Sequence, residues 1–150
     1  MEWKKGRGKR GPLHPLVGRW RYTGDSPMGP VDCNRHFAWD LNNQWLLLDA
    51  TWIGTGKGGS DYIERCYFGV LRDGALGFVS FINDGTQSQG TLTDVSNFHP
   101  KAIGFRAEMP AGIARQYYWP HDEGGLGWRV ERQVKTGWST LVEHRYDRVD

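Results

Sequence analysis

Two arginines, a histidine and a tyrosine fall where strand alternation turns them toward an apolar interior. Arg35 shares a face with Cys33, Phe37 and Trp39, and Arg132 lies between Val130 and Val134 on the Trp128 face. Near the end of the chain, His144 and Tyr146 share a face with Val142, while Glu143, Arg145 and Asp147 face away. A guanidinium taken out of water needs a carboxylate, water or a ligand anion beside it. Arg132 and Tyr146, on what read as adjacent last strands, would share a ligand carboxylate or enolate, the arginine supplying a paired hydrogen bond. His144 and Tyr146 would be the acid and base if the same pocket carries out chemistry, because burial tunes their pKa values. Trp39, Trp52, Phe68 and Trp128 complete this ligand-binding set as its aromatic walls. One bland alternative stands beside it: Glu64, on the face of Tyr62, Cys66 and Phe68, would neutralise Arg35 with no ligand involved.

The elements that must position these residues are strands. Short alternating runs, broken by Gly, Asp, Asn and Pro, predict Val17–Tyr22, Val31–Leu41, Trp45–Ile53, Tyr62–Leu71 and Leu76–Ile82 in the first half. The second half reads as Gln87–Val95, Ala102–Met109, Ala114–Trp119, Gly127–Lys135 and Ser139–Val149. Asp73-Gly74 reads as a two-residue hairpin turn, Asn83-Asp84-Gly85 as a second hairpin, and Gly54–Gly59 as a Gly-rich turn. With no helix of any length, the expected fold is all-β: a single up-and-down antiparallel β-barrel of about ten strands over residues 13–150. A β-sandwich is the alternative. Closure is favoured because it removes the sheet edges on which strands aggregate.

Composition supports one globular domain. Hydrophobic residues are only 38% of the 150, but aromatics reach 13%, with eight Trp, and large rings fill an interior with few residues. Five cations (Lys4, Lys5, Arg7, Lys9, Arg10) against Glu2 give residues 1–11 a charge of +4, so the rest of a +2 chain sums to −2. Residues 1–12 read as a disordered basic arm. The slightly acidic body gives that arm no basic face to join, which argues against nucleic acid.

No apolar stretch approaches the roughly 20 residues of a membrane span, and no secretory h-region is present. Cys33 and Cys66 read as reduced core thiols, so a cytoplasmic location is expected. The histidines lack metal-binding spacings, no C-x-x-C occurs, and no Ser sits in a nucleophile elbow. No metal site is expected, and no cofactor beyond the haem alternative below. The expected partner is a small molecule, with a homodimer left open.

Gly18-Arg19-Trp20 in the first strand resembles the opening motif of the calycin superfamily, the lipocalins, fatty-acid-binding proteins and small bacterial lipocalin-like domains. Leu16-Val17 before it and Thr23-Gly24 after it, then Phe37 and Leu46-Leu47-Leu48, are similar to the pattern of those bacterial domains. The resemblance implies a barrel plugged at one end by Trp20, with a basic side chain from the last strand, Arg145 or Arg148, laid over it. It also implies a ligand at the other end. Fatty-acid-binding proteins show Arg-x-Tyr on the final strand, where this chain has His144 and Tyr146. His144 further resembles the proximal ligand of haem-binding barrels in the superfamily. The expected function is therefore binding of a small, mostly apolar ligand, with or without a carboxylate or enolate. The alternatives are an isomerase, cyclase or lyase acting in the same pocket, and haem binding through His144.

Overall fold

The computed structural model describes residues 3–26, 29–54 and 61–150. A 3-10 helix, Gly11–Leu16, precedes ten strands: β1 Gly18–Ser26, β2 Gly29–Asp40, β3 Trp45–Gly54, β4 Tyr62–Val70 and β5 Leu76–Ile82, then β6 Gln87–Thr93, β7 Ile103–Met109, β8 Gly112–Pro120, β9 Leu126–Val134 and β10 Gly137–Arg148. Each strand pairs antiparallel with its sequence neighbours, and β1 pairs with β10 to close a barrel. The expected up-and-down barrel is the observed one, and the sandwich is excluded. The Gly-rich turn read after Gly54 lies outside the described residues. No helix of the described residues is long and apolar enough to cross a membrane.

Turn chemistry sets the strand ends. The Asp73-Gly74 turn is one residue longer than expected: Leu71 N–H donates to Ala75 O at 2.8 Å, enclosing three residues. Gly74 takes a left-handed φ of 89°, and Asp73 Oδ1 accepts the Ala75 N–H at 2.9 Å. The turn around Asp84-Gly85 repeats this design, with Ile82 N–H on Thr86 O at 3.0 Å and Thr86 N–H on Asp84 Oδ1 at 2.9 Å. An αL glycine closing a three-residue loop matches the strong twist of the strands it joins.

One end of the barrel is sealed. Leu13 and Leu16 of the 3-10 helix are fully buried, and the Trp20 indole N–H donates to Leu16 O at 2.8 Å. The Arg148 guanidinium lies 5.2 Å from the Trp20 ring centroid, so Arg148, not Arg145, covers the plug. Gly18 makes room for it: a Cβ there would meet Arg148 Nη2 at 2.9 Å, and its φ of 142° disfavours any side chain. A residue at the far end of the chain thus packs beside both Gly18 and Trp20. The arm, read from sequence as solvated, makes contacts at this same end. Trp3 packs on the core, Lys9 donates to Gly74 O, and Arg10 forks onto Gln44 at 2.8 and 3.0 Å. These bonds satisfy exposed turn carbonyls with the arm's cations.

Trp20→Ala removes a side chain that is 1% exposed, and should cost about 3–5 kcal/mol of unfolding free energy as a core aromatic truncation. Chemical denaturation of the variant measures it.

Candidate functional site

A cavity of about 470 Å³ occupies the half of the barrel opposite the plug. A row of small residues runs beside it, two of which, Ala107 and Ala114, line it. Gly90 on β6 pairs with Ala107 on β7, and Ala107 with Ala114 on β8. Three adjacent strands therefore contribute almost no side-chain volume at one level. Phe78, Phe105, Trp52, Trp128, Val130 and Val142 wall the space, Met109, Ile82 and Leu141 stand among them, and Tyr62, Glu64, Ser88, Arg115 and Gln116 supply its polar groups. A register shift between Thr140 and Val142 marks a bulge in β10, which brings Leu141 to the cavity although it is 51% exposed.

Beneath this cavity lies a second aromatic layer. Phe68 sits 5.8 Å from Phe78 and 5.2 Å from Phe105, fully buried. Beside it runs the polar heart of the barrel. Arg35, Ala50 and Glu64 are successive partners across β2, β3 and β4. Only the methyl of Ala50 separates the two charged residues at that level. They do not form an ion pair within 4 Å among the described residues; each has its own partners. Arg35 Nη2 donates to Tyr118 Oη at 2.7 Å, and its guanidinium lies 4.1 Å from the Trp128 ring centroid. Its Nε has no hydrogen-bond partner. Burial works to strip the Arg35 proton, but the oxygens of Tyr118, Tyr146 and Glu64 outweigh it and its pKa rises. Glu64 accepts from Tyr62 at 3.1 Å and from Ser80.

His144 stands in an aromatic box. Tyr22 stacks on it at 4.2 Å and 18°, Trp52 lies at 5.2 Å, and Trp128 at 5.9 Å. Its Nδ1 is 3.4 Å from Tyr146 Oη. Burial first, and the Arg35 charge second, lower its pKa from 6.5 to about 4, so the ring is neutral at pH 7. Burial also pushes the Tyr146 phenol well above its usual range. The box has a structural purpose. β1 and β10 pair at only two positions, Trp20 with Arg148 and Arg21 with Asp147. Beyond them, the Tyr22–His144 stack carries the contact across the seam.

The structure brings two of the eight expected ligand contacts, Trp52 and Trp128, to the cavity wall. Arg35, Phe68, His144 and Tyr146 are buried but do not line it. Trp39 packs at the plugged end, 5.2 Å from the His14 ring. Arg132 is exposed: it continues the small-residue row as the partner of Ala114, but lies beyond Val130 where the wall ends. Neither Arg132 nor Tyr146, the pair expected to share a ligand, is part of the cavity lining. His144, one of the two acid–base candidates, lies against the walls Trp52 and Trp128 without lining the cavity itself. A porphyrin on His144 would have to displace Tyr22, Trp52 or Trp128, so the pocket does not fit haem. Among the described residues, no cluster of three or more His, Cys, Asp or Glu could hold a metal ion. Sequence reasoning missed the cavity residues Phe78, Phe105, Ala107, Met109, Gln116 and Leu141. No family model matches the chain, and no curated protein is detectably similar to it.

Two outcomes follow from the charges. Arg35→Met should lower stability by about 1–3 kcal/mol, because the buried Tyr118 hydroxyl loses its charged hydrogen-bond donor. Arg132→Met should stay within about 0.5 kcal/mol of the parent, as for surface substitutions generally. Urea unfolding of both variants separates them.

The His144 imidazole titrates lower in the folded barrel than in the unfolded chain, so protons favour unfolding. Its contribution is complete above pH 6.5 and is lost as pH falls toward 4. His144→Phe, which keeps the stack, should flatten the fall of melting temperature between pH 6.5 and 4, as read by thermal denaturation at stepped pH.

Proposed function

We propose that the protein binds a small, mostly apolar molecule in the barrel cavity. The observation that carries this reading is the cavity itself, about 470 Å³, walled mainly by aromatic and aliphatic side chains and opposite a sealed end. That volume falls within the range typical of small-molecule sites. A ligand burying about 300 Å² of apolar surface gains roughly 7–8 kcal/mol. Association costs at least about 4 kcal/mol of that, so shape alone gives modest affinity and polar contacts must supply the rest.

The calycin-like assignment is part of the same reading. Its support is the Gly18-Arg19-Trp20 motif on β1 together with Arg148 laid over Trp20. A cytoplasmic location agrees with two free, buried thiols on β2 and β4, Cys33 and Cys66, held apart by β3. Burial pushes the Cys33 thiol up to about 11, so it is protonated and unreactive at neutral pH.

Pyrene, a hydrocarbon without a polar group, tests the cavity reading. It should quench the fluorescence of Trp52 and Trp128 saturably. Ala114→Trp, which fills the small-residue row, should weaken that binding at least tenfold while the melting temperature stays within a few degrees. Unchanged pyrene binding by this variant would place the ligand elsewhere.

A further inference from the structure

The charges around the interior are sorted by sign, and the sorting specifies the ligand's polar group; this inference rests on the cavity reading above. Three arginines stand near enough to suggest an anion site, and each is either exposed or already engaged. Arg132 is exposed beyond the wall. Arg115 touches the cavity, but its Nε is 2.6 Å from Glu131 Oε1 and its guanidinium lies 4.1 Å from the Trp138 ring centroid. Arg35 offsets charge through space, yet it donates to Tyr118 and lies against Trp128, and it does not line the cavity.

Glu64 is the opposite case. Among the described residues, Glu64 and Arg115 are the charged side chains that line the cavity, and only Glu64 is buried, at 9% exposure. Its carboxylate accepts from two hydroxyls, Tyr62 and Ser80, whereas a carboxylate offers about four acceptor positions. Its cross-strand neighbours at the same level, Ala50 and Ile82, have no polar side-chain atoms to fill the remainder. Gln116 has its Oε1 occupied by the Trp128 indole N–H at 3.1 Å, and its amide is a neutral donor that does not select charge.

We propose that the cavity selects apolar molecules bearing an amine, with Glu64 as the acceptor of the ammonium N–H, and disfavours carboxylates. A ligand carboxylate would meet the Glu64 carboxylate, and Arg115, the cation that lines the wall among the described residues, is already engaged by Glu131. An ammonium takes up the free acceptor capacity through a charge-assisted hydrogen bond, the stronger kind.

Three probes with one rigid body separate the outcomes: adamantylmethylamine, adamantylmethanol and adamantane carboxylate, titrated calorimetrically into the unmodified protein at pH 7. The amine is expected to bind at least about tenfold more tightly than the carboxylate, the scale of one charged hydrogen bond. Glu64→Gln should erase that preference, with the alcohol unchanged within about threefold. Carboxylate binding equal to or tighter than amine binding overturns the inference and leaves the cavity reading intact. So does an amine affinity that survives Glu64→Gln. Failure of all three probes to bind overturns both. The comparison on the unmodified protein stands even if the variant does not fold.

Discussion

Everything in this barrel depends on how its first strand is fastened to its last. β1 and β10 share two register pairs, and one of them sets Trp20 opposite Arg148. The indole is fixed from below by its hydrogen bond to Leu16 O and covered by the guanidinium. These contacts join the closing seam to the seal at one end, so closure and plugging are a single packing event. Cation–π contacts of this kind contribute about 0.5–2 kcal/mol each, modest beside the burial of the ring itself. The arginine also packs beside Gly18, where the φ of 142° is what disfavours a side chain.

With one end sealed, unfilled volume collects at the other. The Phe78 ring fills the space over Gly90, whereas the small side chains of Ala107 and Ala114 remain part of the cavity wall. Protein interiors tolerate few voids, because lining atoms lose their contact partners. A large apolar void retained in a barrel whose other half is densely aromatic is therefore a site that a ligand would stabilise. The polar residues are also divided. Arg35 is engaged by Tyr118 and His144 packs against the cavity walls Trp52 and Trp128, neither lining the cavity, while Glu64 does.

The strands were legible because their alternation and turn residues are local signals. β5 falls at Leu76–Ile82 as read, and most other strand ends move by one or two residues. Which arginine covers Trp20 was not legible, since Arg145 and Arg148 both follow plausible alternations and only the register of β1 against β10 decides. Face without depth explains the site errors. Alternation correctly turned Phe68 and Tyr146 inward, but it carries no information on whether an inward residue lies in the cavity, beneath it or beyond its rim. Arg132, paired with Ala114 but exposed past Val130, shows that difference. The cavity itself was hidden because three small residues are remarkable only once Gly90, Ala107 and Ala114 are known to be neighbours. Glu64 was visible as an inward carboxylate on the face of Tyr62, yet its other partner, Ser80 on β5, emerges only with the register.

The fastening of residue 20 to residue 148 also governs when the protein can fold. Loop-closure entropy makes so distant a pairing slow to form, and β topologies closed by such contacts sit at the slow end of folding rates. During synthesis, β1 must wait beside β2 with its other edge unpaired until β10 has emerged. For that interval the chain is an open sheet with two free edges, the form most prone to join another chain. The cationic arm ahead of β1 then lies next to the strand that waits longest, and its repulsion for a second copy would protect that edge until the barrel shuts.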